Sequence, residues 1–305
     1  MEQFFSTFTF RTIWTPELIV VLGLISAVYF LIITKYRHRF PDAAPVSRKR
    51  IAYFHLGLFG IYLGFGGPLY VLGHIMLSMH MISMAIVYLI APPLLLLGIP
   101  DWFFERFRQM KPVRNIFFII GFPLLGLLLF NAAFSIYHIP AVFDFLLTNE
   151  GAHNSYQLGM LALAVLMWWH IIPRITTAYN LSELKRIGYM FVSGVLFTPA
   201  CALIIFAGQP LYATYTDPAV WSTAIAYCLP PGADIPFEVM SGEQSLTFLS
   251  PTNDQQFGGA MMKIIQELVY GVAIGYSFRL WQKRDKEETS QEQFEEYEMY
   301  QPNAN

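Results

Sequence analysis

A chain of 305 residues that is 55% hydrophobic, 16% aromatic and only 13% charged, with a mean hydropathy of +0.45, lies outside the composition of an ordinary soluble domain. Its formal net charge of −2 offers no basic excess for nucleic acid, so the lipid bilayer is the first partner the composition implies. Two cysteines, Cys201 and Cys228, with no CxxC, support neither a disulfide framework nor a zinc motif.

The opening "MEQFFSTFTF" lacks the basic start, short apolar core and small-residue cleavage site of a signal peptide, so the first span is expected to stay in the membrane. A helix crossing a ~30 Å hydrocarbon layer needs ~20 mainly apolar residues at ~1.5 Å each. Seven stretches meet that requirement, at about Pro16–Thr34, Ile51–Val71, His74–Leu97, Val113–Tyr137, Asn154–Ile172, Ile187–Ala207 and Gly258–Trp281. The expected fold class is all-α, a polytopic seven-transmembrane helix bundle. Lysine and arginine set its orientation, because basic residues in short loops stay cytoplasmic. "KYRHRFPDAAPVSRKR" carries six, "ERFRQMKPVR" four, "PRITTAYNLSELKR" three and "RLWQKRDK" four of the 19. The N-terminus is therefore expected outside and the C-terminus inside, in a bacterial plasma membrane.

Span three opens with "GHIMLSMHMISM". Met76, His80 and Met84 recur at i, i+4 and i+8, which stacks one imidazole between two thioethers along a single helical face; His74 sits near the helix start. Thioethers favour Cu(I), and imidazole also suits copper, whereas Ca²⁺ and Mg²⁺ want oxygen. Methionine is also a common filler of apolar packing, and a lone interfacial histidine readily serves a carbonyl or water instead of a metal. After span four, "YHIPAVFD" places His138 two residues before Pro140, which is expected to end or bend the helix. Span five offers His153, Gln157 and Met160 on one face. With this orientation His74, His80, His138 and His153 all fall toward the outer side.

In span six Cys201 reads as a small buried residue, or less simply as a further Cu(I) ligand; a Cys201–Cys228 disulfide rests on no spacing rule. The outer connection of about 208–257 is longer than ordinary loops and is expected to be functional or a small cap. "NDQQFGG" opens span seven, with Asn253 or Asp254 as its expected N-cap. Inside that span Lys263 and Glu267, at i and i+4, are expected to pair and face the bundle, since a central charge costs ~2.5–3.5 kcal/mol on translocon scales. Residues 1–284 thus form the membrane domain. From 285 to 305 the chain is acidic and lacks Val, Ile and Leu, and a disordered cytoplasmic tail is expected.

There is no P-loop, GxSxG, HExxH, Rossmann fingerprint or CxxCH in the chain, so no nucleotide site, catalytic triad or c-type haem is indicated and no enzyme activity is expected. The segments "HMISMAIVYLIAPPLLLLGIP" from His80, "HIPAVFD" from His138, "NEGAHNSYQLGMLALAVLMWWHIIP" from Asn149 and "NDQQFGGAMMKIIQELVYG" from Asn253 resemble the CtaG family of cytochrome c oxidase assembly factors of Bacillus-type bacteria. The resemblance implies a seven-span protein that helps make active haem–copper oxidase, most simply by delivering copper to the copper B centre of the catalytic subunit. It matches His80 and Met84 to one HxxxH of the relatives and His153 and Gln157 to a second, so both second histidines are replaced. His138, Pro140 and Asp144, and Asp254, Gln255 and Gln256, match two further motifs.

The expected function is therefore a copper-handling assembly factor in which His80, Met76 and Met84 hold a transient Cu(I), with His138, His153 and His74 completing or relaying the site. Its expected partners are the cytochrome c oxidase catalytic subunit, an extracytoplasmic copper chaperone and further copies of itself as a homo-oligomer. A haem-binding or haem-delivery protein, with His80 and His138 or His153 as axial ligands, is the first alternative; a scaffold without metal is another.

Overall fold

The computed structural model describes residues 8–40, 43–110, 121–174, 179–226 and 249–300, and among them every regular element is helical. A short helix α1 (Phe10–Trp14) leads into α2 (Pro16–Ile33). A continuous apolar path then runs through α3 (Arg48–Phe65) and α4 (Gly67–Gly73). Next come α5 (Leu77–Ala85), a π-turn over Ile86–Ile90, α6 (Ala91–Gly98) and the short α7 (Asp101–Arg108). The second half contains α8 (Pro123–Tyr137), α9 (Pro140–Leu147), α10 (Glu150–Ile171), α11 (Glu183–Phe206), α12 (Pro218–Ile225) and α13 (Pro251–Tyr300).

Five helical stretches, α1–α2, α3–α4, α5–α6, α11 and α13, are long and apolar enough to cross a membrane, and a sixth span results if α8 and α9, bent by 80°, count as one. The expected fourth span begins at 113, and its first part lies outside the described residues. The expected fifth corresponds to α10, whose 22 residues would reach about 33 Å at ~1.5 Å each. It is not among those five candidates, its sequence carrying Glu150, His153, Asn154, Gln157 and His170. Helix α2 is the most peripheral, with Val20, Val21, Leu24 and Val28 exposed where lipid would cover them.

Sequence chemistry explains the shape of the path that leads to the site. Pro92 and Pro93 have no N–H, so the carbonyls of Tyr88 and Leu89 lose their helical donors. The backbone relaxes into the π-turn, and Trp168 Nε1 of α10 donates to the freed Tyr88 carbonyl at 3.2 Å. Gly64 lets α3 press against this turn: a Cβ there would lie 1.8 Å from Val87 Cγ2. Gly64→Leu is therefore expected to force the two helices apart and cost more than the ~1–3 kcal/mol of ordinary overpacking, measured as loss of the folded fraction in detergent melts. At the other end of α6, Asp101 accepts from Arg50 and Arg174, each at 2.8 Å.

The structure alters two expectations here. Lys263 and Glu267 do pair, at 2.7 Å, but the Glu267 side chain is 62% exposed and faces outward rather than into the bundle; Lys263 reaches back to Thr198 Oγ1 and Gln266 Oε1. The segment expected to be disordered from Asp285 is instead the continuation of α13 as far as Tyr300. No Gly or Pro interrupts 276–300, the residues are good helix formers, and Lys283–Glu287 and Arg284–Glu288 add i,i+4 pairs.

Candidate functional site

Helix α5 starts after a corner at His74–Met76, and the side chain at its N-cap makes no capping hydrogen bond. Its N-cap is Met76, in extended conformation, which leaves the first amide groups without acceptors. Asp254 of α13 supplies them: its carboxylate accepts from Ser78 N at 3.2 Å and closely from Ser78 Oγ. Gly258, one turn later, permits the approach, since a Cβ there would lie 2.8 Å from Ser78 Cα. Asp254 is thus the cap of another helix and not, as the sequence suggested, of its own. Asp254→Ala is expected to cost about 1–3 kcal/mol, the penalty of stranding buried donors, and a lowered unfolding midpoint with unchanged helicity would record it.

Two residues beyond Ser78, His80 points into the bundle, 5% exposed. Tyr137, the last residue of α8, stacks its ring on the imidazole at 5.8 Å between centroids and 4° between planes. Tyr137 Oη lies 3.0 Å from His80 Nε2 and 3.3 Å from His153 Nε2. Gln157 Nε2, one turn along α10, lies 2.9 Å from the same His153 nitrogen. The His74 ring stands 6.1 Å from that of His153, so α5, α8 and α10 and the α4–α5 corner converge. A small cavity lined by His80, Ser83, Met84, Tyr88 and Gln157 has room for about one water-sized occupant.

Two of the histidines have a fixed tautomer. His74 Nδ1 donates to Tyr70 O at 3.0 Å and His138 Nδ1 to Phe134 O at 2.6 Å, which leaves Nε2 as the lone-pair nitrogen in both, the usual arrangement of a metal-ligating imidazole. His138 Nε2 is buried without a hydrogen-bond partner. It sits at the 80° bend that Pro140 imposes as expected, with its ring on Phe134, 4.3 Å between centroids.

Of the residues singled out in sequence, His74, His80, His153 and Met84 come together in this region, and His138 adjoins Tyr137. Met76 does not follow the helical stripe. It precedes the first helical residue and belongs to a separate apolar cluster with Ile13, Val71 and Trp221, because the helix begins at Leu77 and only His80 and Met84 keep the i,i+4 relation. Among the described residues, no three His, Cys, Asp or Glu side chains are grouped to hold a metal ion as they stand. Cys201 is a buried thiol, and Cys228 lies outside the described residues. Tyr137 was not singled out; its only sequence signal is its place before His138.

The described part of the connection over 208–257 is tied over this region by side chains from the helix ends. Asp144 of α9 accepts from Ala213 N at 3.0 Å, Thr214 N at 2.9 Å and Thr214 Oγ1 at 2.6 Å. Tyr212 Oη donates to His138 O and Tyr215 Oη to Gly73 O, at 3.0 and 2.7 Å. From α13, Gln255 Oε1 accepts from Leu211 N at 2.7 Å.

Residues 27–284 match the family described as cytochrome c oxidase caa3 assembly factor, Caa3_CtaG. No curated protein and no solved structure matches the chain.

Proposed function

The chain belongs to the cytochrome c oxidase caa3 assembly factor family, and from that premise we propose that it carries Cu(I) toward the copper B centre of the oxidase catalytic subunit, acting as a non-catalytic factor. The observation that carries this reading is the convergence of His80 and His153, from different helices, on one hydroxyl, beside a cavity that Met84 also lines. Two imidazoles and a thioether suit a soft monovalent ion better than any oxygen-seeking metal. His74 and His138, each with Nδ1 anchored to a carbonyl, are the neighbouring relay positions. Loose ligands drawn from separate helices fit cargo that must leave again.

The basic residues of the loops argue for seven spans in a bacterial plasma membrane, with the histidine end outside, where an extracytoplasmic copper chaperone would load it. The cavity beside His80 has space for about one water-sized occupant, the scale of a single ion. The test is the metal content of caa3-type oxidase purified from cells with and without this protein. Oxidase lacking copper B but retaining haem supports the reading; a full copper complement without the protein refutes it.

A further inference from the structure

The hydrogen bonds around the His153 imidazole reach the very electrons a metal would need. Gln157 Nε2, 2.9 Å from His153 Nε2, is an amide nitrogen that only donates, so His153 Nε2 is the acceptor. With His153 Nε2 an acceptor, both contacts of Tyr137 Oη, 3.0 Å to His80 Nε2 and 3.3 Å to His153 Nε2, are hydrogen bonds when His80 Nε2–H donates to Tyr137 Oη and the Tyr137 hydroxyl donates to His153 Nε2. The lone pair of His153 is thereby held by two donors of this chain. We propose that Tyr137 and Gln157 form a latch that closes His153 in the metal-free protein and that Cu(I) enters by displacing both donors.

The surrounding geometry suits such an exchange. Tyr137 is the last residue of α8, next to the 80° bend, where the helical hydrogen-bond ladder ends, so a small change at the bend moves its ring without breaking α8. Gln157 borders the same water-sized cavity as His80 and Met84, so the released imidazole faces a space for the ion. No proton leaves His153 in the exchange: the hydroxyl and the amide keep theirs, and the Nε2 lone pair passes from hydrogen bond to metal. The same donors help release, because they reclaim the His153 imidazole when the ion departs. Gln157 stands where the resemblance would place a second ligand histidine, and in this chain that position contributes a donor instead.

The latch rests on the copper reading, and one titration separates the two. The detergent-purified full-length protein, its Tyr137→Phe and Gln157→Leu variants and the double variant compete anaerobically for Cu(I) against a chromophoric Cu(I) chelator. Each single variant is expected to bind Cu(I) about three- to tenfold more tightly than wild type, since one net hydrogen bond no longer opposes binding, and the double variant more tightly still. A merely structural role for Tyr137 or Gln157 would shift affinity the other way. Wild type that binds copper, with both single variants unchanged or weaker, overturns the latch alone. Wild type that retains no copper overturns the latch and the copper reading together.

Discussion

His80→Ala is expected to abolish stoichiometric Cu(I) retention, lowering affinity by at least about 100-fold, beyond the 10–100-fold typical of outer-shell losses. His80 is the one candidate that touches both the Tyr137 hydroxyl and the cavity shared with Met84 and Gln157. No neighbouring group can replace it without moving a helix, because the nearest imidazoles come from α10 and the α4–α5 corner. The methionines give the prediction its contrast. Met84→Leu, which keeps volume but removes the sulfur, is expected to weaken Cu(I) by about tenfold, a share consistent with one soft ligand of several. Met76→Leu is expected to change nothing, because Met76 packs with Trp221 and Val71 in its own apolar cluster. Equal effects of the two methionine variants in the same chelator competition would show that the copper ligands lie elsewhere. The absorption spectrum of each sample tests the haem alternative directly: a Soret band lost in His80→Ala would assign the imidazole to haem.

Five of the seven expected spans, and a sixth if the bent pair counts as one, were legible because apolar runs of membrane length are written contiguously in the chain, and the bend after Tyr137 was legible because Pro140 is a local cause. What the sequence hid are contacts between distant segments. Met76, His80 and Met84 read as one stripe because no cap residue marks a helix start at Leu77; the cap is Asp254, 176 residues from Ser78. Tyr137 escaped notice for a related reason. Its hydroxyl matters only through imidazoles 57 and 16 residues distant, and a tyrosine at an interfacial helix end is ordinary on its own. The last helix extends past its expected end because its surface chemistry is helical although residues 285–297 are exposed: its charges and lack of a hydrophobic period suggested disorder, while propensity and i,i+4 pairs sustain the turns.

Asp144→Ala is expected to lower stability by about 3–5 kcal/mol and to speed Cu(I) release. Hydrogen bonds to a charged group are worth ~1.5–3 kcal/mol each and are not additive; this carboxylate accepts three, from Ala213 N, Thr214 N and Thr214 Oγ1. All three donors lie in or beside one short turn, so their loss frees that turn as a unit. Thr214 is fully buried, and its amide would be left without an acceptor. The turn in turn carries Tyr212 and Tyr215, whose hydroxyls reach the carbonyls of His138 and Gly73, one on each side of the histidine cluster. Asp144→Asn separates charge from geometry, since its amide oxygen can still accept from a backbone N–H, and should recover about half of the lost stability. Detergent melts measure the first effect, and the dissociation rate of loaded Cu(I) into excess chelator measures the second. Melting midpoints shared by wild type and Asp144→Ala would mean that this connection is held by other contacts. A normal release rate in a destabilised variant would mean that this turn covers the site without controlling it.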